Sequence, residues 1–111
     1  MQQEFDTKKW HLMTLPEQLG NAGSDYERAL RWKKLNKQEL FSNATRRTLA
    51  QLDMTLTDNR LHAARRKEIA RAREAICEEL FSPNYNDASA KSLAKYFLVM
   101  AKLARSATHY A

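Results

Sequence analysis

Apolar residues recur along most of this chain at steps of three and four, the spacing that places them on one face of an α-helix. No long segment alternates apolar and polar residues, and the only valine is Val99. Alternation rich in β-branched residues is typical of strands. The pattern therefore predicts an all-α protein built from four long helices.

The first helix is predicted to begin after Thr14. The Thr14 hydroxyl can accept from the amide of Glu17, the Glu17 carboxylate can accept from the Thr14 amide, and Pro16 lies in the first turn. Gly20 and Gly23 then interrupt the pattern, each at a cost of about 1 kcal/mol relative to alanine. We favour one continuous helix, with another backbone packed closely on the glycines, over a break at this point.

Three further helices follow from the same reasoning. Asn36 is expected to cap the second helix, which should stop near residues 57–59, because short polar side chains compete there for backbone hydrogen bonds. The third helix should end at Pro83, which cannot continue it. The candidate caps of the fourth helix, after a turn at residues 84–87, are Asp87 and Ser89.

Short connections between helices of similar length favour antiparallel neighbours. We therefore expect an antiparallel up-down-up-down four-helix bundle over residues 14–107, with a leader at residues 1–13 and a tail at residues 108–111. In the leader, Trp10 and Leu12 are expected to fold back on the bundle or to dock on a neighbouring subunit. Residues whose spacing predicts burial in the core include Tyr26, Leu52, Ile69, Phe81, Phe97 and Leu103.

The charge balance adds a candidate function to this scaffold. The formal net charge is +6, and residues 60–73 contain six basic residues but only one acid, Glu68. Such an excess attracts a phosphate backbone if it is gathered on one face. Trp32 lies within a second basic group and is a candidate for base stacking. The predicted nucleic-acid-binding residues are Arg60, Arg65, Arg66, Lys67, Arg71, Arg73, Arg31, Lys33 and Lys34.

Signals of catalysis are missing from the sequence. There is no glycine-rich phosphate loop and no Cys/His pair at ligand spacing, and His11, His62 and His109 are isolated. We therefore expect no catalytic residue, no metal and no cofactor. Cys77 is the only cysteine, which is typical of a reducing compartment. With no apolar run long enough for a signal peptide or a membrane span, the expected location is the cytoplasm, away from membranes.

Three segments within residues 20–56 form a pattern: a basic end to the first long helix, RWKK at 31–34, a start of the second helix at KQELF, 37–41, and the run TLAQLD at 48–53. They resemble the basic helix end, the Lys/Glu/Phe helix start and the Ser-Leu-x-Glu-Leu-Glu run of a family of small four-helix bundles encoded within ribosomal-RNA intervening sequences. The resemblance extends to a relative of that family, the accessory variability determinant (Avd) of diversity-generating retroelements.

The resemblance implies a non-catalytic bundle that assembles as a homo-oligomer, a pentamer in the family, with a positive surface for nucleic acid. For the Avd branch it also implies association with a reverse transcriptase. The sequence thus favours an accessory protein that binds RNA or single-stranded DNA. The alternative is a protein-interaction adaptor that binds an acidic partner through apolar anchors such as Trp10 or Trp32.

Overall fold

A computed structural model describes residues 5–83 and 87–110 of the chain. Within these ranges the protein is all-α, as predicted, and contains no β-strand. The central helix is α2, whose most extensive interfaces are with α3 and α5, while α4 packs on both α3 and α5. The helices are α1 (Thr7–His11), α2 (Leu15–Lys34), α3 (Gln38–Leu56), α4 (Ala63–Phe81) and α5 (Asp87–Tyr110).

The start and the continuity of α2 are confirmed. Thr14 and Glu17 form the predicted reciprocal cap, with the Thr14 amide donating to Glu17 Oε1 at 2.8 Å. This bond lowers the pKa of the Glu17 carboxyl. Gly20 lies against the backbone of Ala101 in α5, where an added Cβ would come within 3.2 Å of the Ala101 Cα. The glycines therefore mark the close approach of α5, and the helix does not break.

The expected cap of α3 at Asn36 is wrong. The N-cap is Lys37, without a side-chain hydrogen bond, and Asn36 instead has a positive φ of 57°. The Asn36 amide donates to the Lys33 carbonyl, and the Lys37 amide donates to the Trp32 carbonyl at 2.9 Å. This paired pattern closes the C-terminus of α2, where asparagine tolerates the left-handed conformation. Asn36 therefore ends one helix and does not begin the next.

The remaining helix boundaries largely agree with the prediction. α3 stops before residues 57–59, and α4 stops at Phe81, two residues before Pro83. α4 begins only after its N-cap His62, whose side chain accepts from the Arg65 amide at 3.3 Å, so residues 57–59 do not cap it. α5 already includes both candidate caps, Asp87 and Ser89. Of the turn predicted at residues 84–87, residues 84–86 lie outside the described residues, as does the side chain of Asp87.

A polar layer joins α2 to α3 inside the fold. Asp25 is buried and accepts hydrogen bonds from Gln51 of α3 and from Arg28, both at 2.9 Å. Arg47 adds a longer ion pair at 3.5 Å. A buried carboxylate is tolerated only when such partners replace water. The largest fully buried apolar side chains among the described residues are Leu19, Tyr26, Leu52, Ile69, Ile76 and Leu80.

Two residues that the spacing placed in the core are exposed. Phe81 retains 60% of its accessible surface and Leu103 retains 49%. In the leader, Trp10 does fold back and is buried, and its Nε1 donates to Thr55 Oγ1 at 2.8 Å. Leu12 does not follow it and is 84% exposed. The leader is therefore anchored to α3 by the Trp10 indole and by His11, whose Nε2 lies 2.7 Å from the Met54 carbonyl oxygen, while Leu12 takes no part in the contact.

Candidate interaction surface

A buried carboxylate binds the first residue of the predicted basic cluster. Asp58 follows α3 and is 3% exposed; Arg60 Nε donates to its Oδ1 at 3.0 Å and Arg60 Nη2 to its Oδ2 at 2.6 Å. Gln18 Nε2 also donates to Asp58, at 3.0 Å. These bonds, above all those from the Arg60 side chain, hold the pKa of Asp58 well below its usual range. Arg60 Nη2 also donates to the carbonyls of His11 and Met13.

Two other predicted cations donate hydrogen bonds to backbone carbonyls at or near the ends of helices. Arg66 donates through its guanidinium to the carbonyls of Leu56 and Leu61, at the end of α3 and in the loop that follows it. Lys33 Nζ donates to the Glu79 carbonyl and, at 2.7 Å, to the Ser82 carbonyl at the end of α4. The last carbonyls of a helix have no partner within it, and cations are favourable there. These two cations therefore act within the fold.

Carboxylates of the same chain occupy two more members of the cluster. Arg73 Nε and Nη2 donate to the two oxygens of Asp53 on α3, at 2.7 and 3.2 Å. Arg65 Nη1 forms an ion pair with Glu68 Oε1 at 3.1 Å, one turn along α4. An arginine guanidinium that is bound to a carboxylate must release that carboxylate before the same N–H groups can bind a phosphate. Most of the predicted cationic side chains therefore have an internal partner.

Three of the nine predicted cations are exposed, and their side chains make no ion pair or hydrogen bond with another described residue: Arg31, Lys67 and Arg71. Lys34 is exposed but has a partner within the chain. Trp32, the predicted stacking residue, is half-buried, packs against the core and lines a groove of about 190 Å³ with Phe41 and other residues. Six of the nine predicted cations therefore have a partner within the chain.

The outward side of α5 combines exposed aliphatic residues with cations. Leu98, Val99 and Leu103 are 50, 47 and 49% exposed, although Phe97 and Met100, which flank Leu98 and Val99, are buried. Four consecutive apolar residues at 97–100 cannot all face one side of a helix with 3.6 residues per turn. That run was the sequence signal for a second apolar face, which the spacing argument overlooked. We call Lys95, Leu98, Val99, Lys102, Leu103 and Arg105 the α5 face.

Positive charge on the α5 face is not balanced by acids of the same helix. Asp87, at its first position, is the only acid among the 24 residues of α5. Lys95, Lys102 and Arg105 are exposed and have no ion-pair partner among the described residues. Lys91 lies on the same side but has a partner within the chain. The α5 face is therefore both apolar and cationic.

No family model matches this chain, and comparisons with curated proteins and with solved structures give no significant match either. Within the described ranges, no helix has both the length and the apolar character that crossing a bilayer requires. No group of three or more potential metal ligands occurs in that same part of the chain. The candidate site therefore rests on its geometry and charge.

Proposed function

We propose that this protein is a non-catalytic helical adaptor, and that its α5 face binds an acidic amphipathic segment of a partner protein. One observation carries the proposal: three half-exposed aliphatic side chains lie beside three cations on a helix whose only acid is Asp87. Scattered single leucines need no explanation on a protein surface, but an apolar group with one sign of charge around it favours an interface.

The chemistry of the face indicates the kind of partner. Leu98, Val99 and Leu103 would be covered by aliphatic side chains of the partner, which contributes about 25 cal/mol per Å² of apolar surface removed from water. Lys95, Lys102 and Arg105 lie on the same exposed side and would face its carboxylates. Charges at the rim mainly raise the association rate and select the partner, while the apolar contacts supply affinity. An acidic amphipathic helix has both features.

The close packing of α5 on α2 supports an α5 face that is already formed before a partner binds. Its inner side packs on α2, where Gly20 faces Ala101 and an added Cβ at Gly23 would come within 2.4 Å of the Phe97 Cβ. Phe97 also contacts Tyr26 of α2, with ring centroids 5.9 Å apart. Close packing of this kind fixes the rotation of a helix about its axis. In the proposed architecture, the antiparallel up-down-up-down four-helix bundle is the scaffold that presents this face.

A second candidate function is the binding of RNA or single-stranded DNA, and a different observation favours it. Besides the cations of the α5 face, Arg31, Lys67 and Arg71 are exposed without a partner among the described residues. This set is smaller than the predicted one, but it is available to a phosphate backbone. Under this proposal the chain would be an accessory protein of a reverse transcriptase in the cytoplasm and would assemble as a homo-oligomer, as the Avd resemblance implies.

The two functions are separated by removing apolar surface without changing charge. The variant Leu98→Ser/Val99→Ser/Leu103→Ser keeps every cation of the α5 face, so it should abolish adaptor binding and leave nucleic-acid binding unchanged. The matched control is Leu35→Ser/Leu40→Ser, which removes leucines that are 56 and 45% exposed elsewhere. The probes are a synthetic acidic amphipathic peptide with leucines on one face, a single-stranded DNA and an RNA of equal length.

Fluorescence anisotropy at two ionic strengths provides the measurement. The adaptor proposal expects the peptide to bind the wild type and the control but not the serine variant, with moderate salt dependence. Absence of peptide binding to the wild type, or equal binding to the serine variant, would contradict it. Binding of the oligonucleotides that falls steeply with salt and ignores the serine substitutions would establish the second function instead.

A further inference from the structure

The outward stripe of α4 carries four charged side chains that the fold does not use. Lys67, Arg71, Glu74 and Glu78 are all exposed, and at 3.6 residues per turn they fall within an arc of about 60°. None of their side chains makes an ion pair or a hydrogen bond with another described residue. We call these four residues the α4 stripe; it shares no residue with the α5 face.

The order of charges along the α4 stripe is unfavourable for a single chain. Lys67 and Arg71 are four residues apart and carry the same sign, as do Glu74 and Glu78. Like charges at this spacing are neighbours on a helix and destabilise it. Arg71 and Glu74 are three residues apart, yet they form no ion pair in the structure. The two halves of the α4 stripe therefore present unneutralised charges of opposite sign.

These charges are complementary to the same stripe on another molecule. Lys67 and Glu78 lie equally far from the midpoint between Ala72 and Arg73, and so do Arg71 and Glu74. A twofold axis through that midpoint, with two α4 helices antiparallel, places Lys67 opposite Glu78 of a second copy and Arg71 opposite Glu74 of that copy. Both pairs occur twice, as an isologous interface requires. We propose that α4 is a dimerisation surface for a second copy of this chain.

Apolar surface at the ends of α4 fits the same arrangement. Phe81 is 60% exposed at the C-terminus of α4, and Ala63 and Ala64 are exposed at its N-terminus. The same twofold axis brings Phe81 of each copy to the alanines of the other, because Phe81 and Ala64 are also equidistant from the midpoint. Burial of the two phenyl rings supplies a contact that does not depend on charge.

The composition of this interface predicts a weak, salt-sensitive dimer. Ion pairs at a solvent-exposed surface each contribute little, and salt screens them. Only Phe81 adds a large apolar side chain from each copy, so the contact belongs to the small, transient class of interfaces. The α4 stripe selects the antiparallel pairing, since a parallel alignment in the same register would set lysine against lysine and glutamate against glutamate.

The proposal is tested by reversing the charges of one half of the α4 stripe at a time. Lys67→Glu/Arg71→Glu makes the α4 stripe wholly acidic, and Glu74→Lys/Glu78→Lys makes it wholly basic, so each variant alone should dimerise at least about tenfold more weakly. Equimolar mixing of the two should restore dimers as heterodimers. The fourfold swap, with both pairs exchanged, keeps the formal net charge at +6 and should restore the homodimer. The matched control is Glu27→Lys/Glu39→Lys, which reverses two exposed acids outside α4.

Sedimentation velocity over a range of protein concentrations gives the assembly state, at an ionic strength of about 0.01 M, where the Debye length is about 30 Å. Far-UV circular dichroism establishes that each variant is folded. A wild type that stays monomeric would overturn the proposal. It would equally be overturned if both half-reversed variants dimerised like the wild type, or if mixing them restored nothing. Peptide binding by the α5 face is a separate readout, so its failure leaves this test unaffected.

Discussion

Two regions of this chain are rich in basic residues, but the structure uses them differently. In the segment 60–73, arginines bind Asp58, Asp53 and backbone carbonyls of the same molecule. On α5, basic residues project outward, and packing of apolar and small residues against α2 holds the helix. The difference arises because carboxylates and helix ends lie near the first group, while α5 carries one acid in its first position. A local excess of charge therefore does not by itself define a binding surface.

The largest expected effect comes from removing the carboxylate on which the first region depends. Asp58→Ala removes one of the two acceptors of the buried Gln18 amide, which keeps only the Met13 carbonyl, and deprives Arg60 of its carboxylate partner. We expect a loss of about 3 kcal/mol in the free energy of unfolding, from urea denaturation. Asp53→Ala is the matched control, because its ion pair with Arg73 is exposed and should cost at most about 1 kcal/mol. Equal losses would refute a special role for Asp58.

The second prediction concerns the packing that holds α5. Gly23→Ala places a methyl group within 2.4 Å of the Phe97 Cβ, so one of the two helices must shift. We expect a loss of about 2 kcal/mol, the usual cost of overpacking, measured by thermal or urea unfolding. Gly20→Ala meets the Ala101 Cα only at 3.2 Å, and the gain in helix propensity, about 1 kcal/mol, opposes the crowding. A Gly23 variant as stable as the Gly20 variant would contradict the close contact.

A fall in pH should destabilise the contacts of the segment 60–73 more than the packing of α5. The pKa of Asp58 is lowered in the folded protein, so the unfolded chain takes up this proton more readily. The stability that ionised Asp58 provides is complete above its ordinary pKa of 3.8 and is lost as the pH falls below that value. The gap in unfolding free energy between wild type and Asp58→Asn should therefore narrow from neutral pH to about pH 3. Glu17 also has a lowered pKa, but it is present in both proteins and cancels.

The smallest effect is expected from the basic residues of the α5 face. Lys95→Ala, Lys102→Ala and Arg105→Ala, singly, should each change the unfolding free energy by less than about 0.5 kcal/mol, because no described partner loses a bond. Arg66→Ala is the comparison from the other region and should cost more than any of them, since its guanidinium serves several carbonyls. Urea denaturation measures the unfolding free energy of the α5 variants and of Arg66→Ala. A costly α5 substitution would mean that its cation has an internal role.

Local signals in the sequence predicted much of the secondary structure. The reciprocal cap of Thr14 and Glu17 and the helix stop at Pro83 depend on atoms only a few residues apart, so both could be recognised without the fold. The role of Asn36 was harder to predict, because asparagine often caps the start of a helix and also tolerates the left-handed conformation at the position after a helix end. The structure selects the second role, with a φ of 57°.

The candidate site was less predictable, because the fate of a charge depends on what lies opposite it. Arg73 and Asp53 are 20 residues apart, and the Lys33 amine reaches carbonyls 46 and 49 residues further along the chain. No periodicity within one helix contains such pairs. The exposed leucines of α5 had a local signal, the four apolar residues at 97–100, since one helix face cannot bury them all.

By itself, the sequence determined an all-α chain, its capping box and most of its helix ends, because hydrogen bonding and steric preference act over one or two turns. Tertiary structure alone decided which basic side chains are bound by Asp58, Asp53 and the helix ends, and which remain exposed on α4 and α5. The physical reason is that a charge is neutralised by the atoms within a few ångströms of it, and packing of distant segments determines which atoms those are.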